Sequence, residues 1–212
     1  MEIIKINYKR IEKKRIDCIV KCLKKGGVVV LPTDTSYGLA ANALDIRVIN
    51  RVHKIKERSR NKPLSVIVKN IGQAKKYSII DRRTKILFDG FLPGRLTVVV
   101  KKRDNLPDIL TGNKKTIGLR IPKNRIITEV MERLDFPLTA TSANVTGEKE
   151  PYSVNEILRQ YKDKKLKPDL IVDGGNLKKN KPSTVVDLSH KEIKLIRSGP
   201  IKFKDVVNSL KI

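Results

Sequence analysis

Tryptophan is absent from this 212-residue sequence, and four phenylalanines with five tyrosines bring the aromatic residues to only 4%. A core made from these residues has to be aliphatic. Cysteine occurs twice and histidine twice. Cys18 and Cys22 lie four apart in a helical pattern, on one face of one helix, where a disulfide is geometrically awkward. No neighbouring Cys or His completes a zinc set, so both read as core thiols of a reducing compartment. No apolar run approaches the ~18 residues of a membrane span, and the N-terminus lacks the apolar stretch of a signal peptide. The expectation is a soluble, cytoplasmic protein with no membrane partner.

Acidic residues are also scarce: 22 Asp plus Glu against 47 Lys plus Arg, a formal net charge of +25. Such an excess favours a polyanionic partner, nucleic acid or nucleotide phosphates, through long-range attraction. The charge is scattered over separate elements, however, as in Lys13-Lys14-Arg15, Arg82-Arg83 and Lys101-Lys102-Arg103. A Lys-rich solvated surface accounts for much of it.

Familiar catalytic fingerprints are missing. Without G-x-x-x-x-G-K-[ST] the chain is not a P-loop NTPase. Strand-linked G-x-G-x-x-G, H-E-x-x-H and G-x-S-x-G are absent too, and no carboxylate pair for glycoside chemistry stands out.

What is present centres on residues 28–43, V-V-V-L-P-T-D-T-S-Y-G-L-A-A-N-A, where a buried strand ended by Pro32 empties into clustered small polar groups. Open α/β sheets place ligands at such strand ends. Before it, Ile16, Ile19, Val20 and Leu23 predict a helix over about residues 10–25, stopped by Gly26-Gly27. After it, Asp45 caps a helix with inner face Val48, Ile49, Val52 and Ile55. His53 lies beside that face as an edge-of-core residue, and His190 lies near a turn.

Further strands are expected at 64–68, 96–100, 116–121, from 137, at 170–172, 184–188 and 193–196, with helices at 71–77, 82–91, 124–134, 154–161 and 203–210. Ser153 and Glu156 have capping-box spacing, and 105–112 reads as loop. With no repeats and no clean boundary, the economical reading is one α/β domain over 1–212, with a mixed sheet.

Polar groups recur where elements end: Thr33 and Thr35, then Lys56, Arg58 and Lys62, then Arg120, Ser142 and Asn144, Ser183 and Thr184, and Arg197. Several cations with neutral donors and few carboxylates suit a polyphosphate together with a small carboxylate ligand.

The segments L-P-T-D-T-S-Y-G-L-A-A-N-A, K-E-R-S-R-N-K-P-L, G-L-R-I-P, T-S-A-N-V-T-G, P-S-T-V-V-D-L and I-R-S-G-P-I, in that order, resemble the YrdC-like family of threonylcarbamoyl-AMP synthases. The resemblance runs from about residue 26 to about residue 200. It implies a twisted α/β sheet with flanking helices around a large, basic, concave cavity. It also implies formation of threonylcarbamoyl-AMP and pyrophosphate from L-threonine, bicarbonate and ATP, with Mg²⁺ carried by the phosphates. A partner transferase then modifies the adenosine beside the anticodon of certain tRNAs, and direct contact with tRNA or other RNA is compatible with the charge. Longer family members add a C-terminal domain; this chain resembles the single-domain form.

By the same resemblance Lys56 and Arg58 take catalytic roles. Arg58, Lys62, Thr116, Asn144, Tyr152 and Arg197 match ATP-contacting positions, and Thr35, Arg120, Ser142 and Ser183 match positions that hold threonine. No protein metal ligand is implied. Three departures stand out: Ser59 where the family has Pro, Ile67 where it often has His, and Ala40 for a common Gly. Two other readings compete, a non-catalytic RNA-binding protein that uses a basic cavity, and a hydrogenase-maturation carbamoyl-transfer protein. The latter usually carries Cys-rich zinc motifs, which are lacking here.

Overall fold

The computed structural model describes residues 1–211. It begins with β1 (Glu2–Lys5), α1 (Lys13–Lys24), β2 (Val29–Pro32), β3 (Tyr37–Ala40) and α2 (Ile46–Ile55). Next come β4 (Ser65–Ile67), α3 (Ile71–Tyr77), α4 (Arg82–Phe91), β5 (Leu96–Lys101), α5 (Asp108–Thr111) and β6 (Thr116–Arg120). Then follow α6 (Arg125–Met131), β7 (Leu138–Ser142), α7 (Val154–Tyr161), β8 (Leu170–Asp173), β9 (Thr184–Asp187), β10 (Lys194–Arg197) and α8 (Phe203–Ser209).

The strands form one ten-stranded mixed sheet in the order β1-β8-β2-β3-β7-β4-β6-β5-β9-β10. The pairs β1/β8, β8/β2, β4/β6 and β5/β9 are parallel and the others antiparallel. Strand β7 joins the halves, pairing with β3 through Gly38 and Leu39 and with β4 through Val66 and its neighbours.

Strand alternation divides the apolar side chains between two cores. Val30, Val66, Val98 and Leu119 share one core with the inner faces of α2, α3, α4, α5, α7 and α8. Val29, Leu31, Ile67 and Leu138 share the other with α1 and α6. Six helices cover one face, while two cover only part of the opposite face. The uncovered remainder is where the site lies.

The helix caps follow the sequence. The Asp45 carboxylate accepts from the N–H groups of Arg47 and Val48, and Ser153 with Glu156 forms the reciprocal capping box. Three elements depart from the sequence reading. The short β1 gains its ladder from β8 rather than from its own pattern. Strand β3 starts among the small polar residues that follow Pro32, taking Tyr37 and Gly38 from them, so the loop is residues 33–36 of a hairpin. The expected loop at 105–112 holds the single turn α5.

Cys18 and Cys22 are free thiols packed against the edge of the second core, half-buried rather than central. Burial raises the Cys22 thiol to about 11, so it is protonated and unreactive at neutral pH. His53 is buried at 2% exposure. Among the described residues no helix is long and apolar enough to cross a membrane.

Candidate active site

The uncovered half of the second face holds a cavity of about 270 Å³. Its lining draws on the strands through Gly38 of β3, Ser65 of β4, Thr97 of β5 and Ala140 of β7. Small residues keep it deep. A Cβ on Gly118 would strike the Ser65 hydroxyl, and one on Gly38 would press on the Thr141 carbonyl. Three guanidiniums, Arg58, Arg120 and Arg197, line the walls, with Glu150 the one carboxylate among the described residues.

The four residues expected around threonine all line this cavity: Thr35, Arg120, Ser142 and Ser183. Hairpin geometry delivers Thr35. Thr33 Oγ1 donates to the Ser36 carbonyl at 2.7 Å and accepts from the Thr35 N–H at 3.0 Å, folding residues 33–36 back on themselves. Arg120 ends β6 beside Ile67 of β4. Its guanidinium donates to Thr35 Oγ1 at 3.2 Å and forms an ion pair with Asp34. Asp34 also accepts from the Lys123 N–H, while its backbone carbonyl accepts from Arg95 Nε at 2.9 Å. Burial pulls the Arg120 pKa below the ordinary arginine value, and the Asp34 charge opposes that pull. Asp34 therefore fixes the guanidinium from behind, and the sequence reading gave it no role.

Ser183, 2% exposed, has its hydroxyl 2.9 Å from that of Thr97 and accepts from Arg197 at 3.0 Å. Arg197 Nε also donates to the Ser183 carbonyl at 3.0 Å. A residue expected at the amino acid is thus bonded directly to one expected at the nucleotide.

Arg58 owes its position to how α2 ends. The Glu57 N–H bonds to the Lys54 carbonyl and the Arg58 N–H to that of His53, a Schellman arrangement, with Glu57 at φ 50 in the left-handed position. The reversal buries Lys56 on one side and puts Arg58 at the cavity on the other. A Cβ in this conformation is strained by roughly 1 kcal/mol, and the Glu57–Lys164 ion pair at 2.7 Å is too exposed to offset much of it. Glu57→Gly is expected to raise stability by about 0.5–1 kcal/mol in urea unfolding. A loss of stability would show that the ion pair outweighs the strain.

Lys56 does not line the cavity. Its Nζ reaches the carbonyls of Ser142 and Asn144 and, at 3.2 Å, Asn144 Oδ1. Its own carbonyl accepts from the Thr146 N–H at 2.8 Å. Burial, followed by the Arg58 charge, pulls its pKa down to about 7. The Asn144 amide is fully engaged as well. Its oxygen accepts from Ser142 Oγ, and its nitrogen donates to the carbonyls of Val145 and Glu148. Tyr152 Oη donates to the Asn180 carbonyl at 2.9 Å, tying down the segment that precedes Ser183.

The remaining two residues of the expected set lie apart. Lys62 is exposed beyond the turn closed by its N–H to the Ser59 carbonyl. Thr116 begins β6, four positions from Arg120, which is roughly 13 Å along an extended strand. Among the described residues no three His, Cys, Asp or Glu side chains cluster as a metal site.

Known proteins share this arrangement of strands and segments. The Sua5_yciO_yrdC family model, described as "Telomere recombination", matches residues 21–199. A Methanocaldococcus jannaschii protein, provisionally named a threonylcarbamoyl-AMP synthase, is 40% identical over 191 residues, 89% of this chain and 87% of that protein. The crystal structure of Pyrococcus abyssi Sua5 complexed with L-threonine superposes with a TM-score of 0.92 at 30% identity, over 99% of this chain. This chain spans only 61% of that longer one. Escherichia coli YciO, an uncharacterized protein, gives a TM-score of 0.85 at 28% identity and is covered over 98% of its length, with 96% of this chain. From the segments, the sheet order and these likenesses together, the chain belongs to the Sua5/YciO/YrdC family.

Proposed function

We propose that this protein is a threonylcarbamoyl-AMP synthase, joining L-threonine, bicarbonate and ATP into threonylcarbamoyl-AMP and pyrophosphate. One observation carries the reading. Arg58 and Arg120, both at the cavity, each keep a buried Nε–H with no acceptor, beside the hydroxyls of Thr35, Ser142 and Ser183. Orphaned charged donors are destabilising by roughly 1–3 kcal/mol each, which a ligand oxygen relieves. Two such donors with Arg197 suit a carboxylate at Arg120 and phosphates at Arg58 and Arg197. The L-threonine held by Pyrococcus abyssi Sua5 supports the amino-acid half.

The chemistry needs little acid–base help. The carboxylate of N-carboxy-threonine is already an anion, and its attack on the α-phosphate expels pyrophosphate. Alignment and charge stabilisation are the tasks, and guanidiniums perform both. Lys56 acts at one remove, by holding the Ser142 and Asn144 backbone. Mg²⁺ accompanies ATP on phosphate oxygens and water, in keeping with a donor set of cations and hydroxyls. The product passes to a transferase acting on tRNA.

Purified protein given ATP, bicarbonate and L-threonine is expected to release pyrophosphate only when all three are present. Release that ignores threonine, or salt-sensitive RNA binding without ATP turnover, sinks the synthase reading.

A further inference from the structure

Glu150 has no role in the reading above, yet it faces the same cavity as Arg58, Arg120 and Arg197. It contributes to none of the ten ion pairs among the described residues. The loop that carries it is nonetheless fixed. Next to it, the Pro151 carbonyl accepts from the Tyr37 N–H at 2.9 Å, and the Tyr152 and Ser153 N–H groups donate to the Glu156 carboxylate. Its charge favours the protonated form of Lys56, Arg120 and Arg197.

A half-buried carboxylate among guanidiniums works against a site that takes only anions, since it repels the ligand those cations attract. It becomes useful when the ligand also carries a positive group. The amino-acid substrate does, with an ammonium one carbon away from the carboxylate assigned to Arg120. We propose that Glu150 receives the α-ammonium of the amino acid, so that Arg120 and Glu150 together recognise a zwitterion rather than any small carboxylate. The residue then sets the specificity and the position of the nitrogen that must be carboxylated. This inference rests on the synthase reading for the identity of the ligand and on the cavity geometry for the residue.

Titration calorimetry without nucleotide, run both with and without Mg²⁺, tests it, comparing L-threonine with (R)-3-hydroxybutanoate, which keeps the carboxylate and hydroxyl but lacks the ammonium. The unaltered protein is expected to favour L-threonine by at least about tenfold, roughly one charge-assisted contact. Glu150→Gln, close in shape and half-exposed, is expected to bind the two within twofold of each other, and to bind the hydroxy acid more tightly than the unaltered protein does. Retention of the threonine preference in Glu150→Gln overturns the proposal. So does threonine binding that requires Mg²⁺ and loses that requirement in the variant, which would assign the carboxylate to the metal. If the unaltered protein binds neither compound, the synthase reading itself falls, and this inference with it.

Discussion

Lys56→Met is expected to lower stability by about 2–4 kcal/mol, because it leaves the part-buried carbonyls of Ser142 and Asn144 without a donor while preserving most of the side-chain volume. In thermal unfolding that corresponds to a fall in Tm of roughly 5–15 °C for a chain of this size. The linkage sign gives a second readout. Lys56 has a folded pKa of about 7 against an ordinary lysine value of 10.5, so between those values the unfolded chain holds more protons than the folded one. Stability from this group therefore rises with pH across that window. The gap between the unaltered protein and Lys56→Met should widen from pH 7 to pH 9. A gap that narrows would mean that the three oxygens at Nζ hold the ammonium against burial and the Arg58 charge.

Arg58→Ala is expected to leave Tm nearly unchanged and to lower pyrophosphate release by about 10²–10³-fold, the scale of losing one preorganised donor to transition-state charge. Among the described residues its only side-chain bond is from its guanidinium to the Pro63 carbonyl at 3.1 Å, at an exposed turn, and its Nε has no acceptor to lose. Single-turnover kinetics with saturating ATP separate a chemical defect from weakened binding. A full rescue of rate by added ATP would confine Arg58 to nucleotide binding. The two substitutions lie two residues apart and have opposite signatures, one chiefly on folding and the other chiefly on turnover.

That contrast also marks where sequence reading stops. The K-E-R spacing is plain in the sequence, but the turn that sends Lys56 inward and Arg58 outward depends on Glu57 at positive φ, a conformation its residue type disfavours. Strongly patterned elements were legible because their signals are local, as with the Asp45 cap, the Ser153–Glu156 box and the aliphatic strands. Strand β3 was not, since Tyr37-Gly38-Leu39-Ala40 resembles the tail of a polar loop and becomes a strand only between β2 and β7. The threonine-side residues follow from motif recognition and converge on one cavity. Asp34 and Glu150 escaped notice for different reasons. Asp34 lay in plain view between two threonines, but its function is to hold an arginine 86 positions away. Glu150 belongs to no motif, and only the closed loop reveals what it faces.

The sheet order also has a consequence for how the molecule comes into being. Strand β1 pairs with β8 through Glu2 and Leu170, and β2 joins the same partner, so both wait for a strand more than 130 residues further along the chain. Sheets with such distant pairings form slowly, because loop closure precedes the contacts that reward it. Meanwhile β2 and β3 leave the ribosome as an apolar hairpin with open edges, the kind of segment that invites chaperones or mispairing. Ser183 and Arg197 arrive later still, so on a nascent chain the hairpin that carries Thr35 exists for most of synthesis before there is any cavity for it to serve.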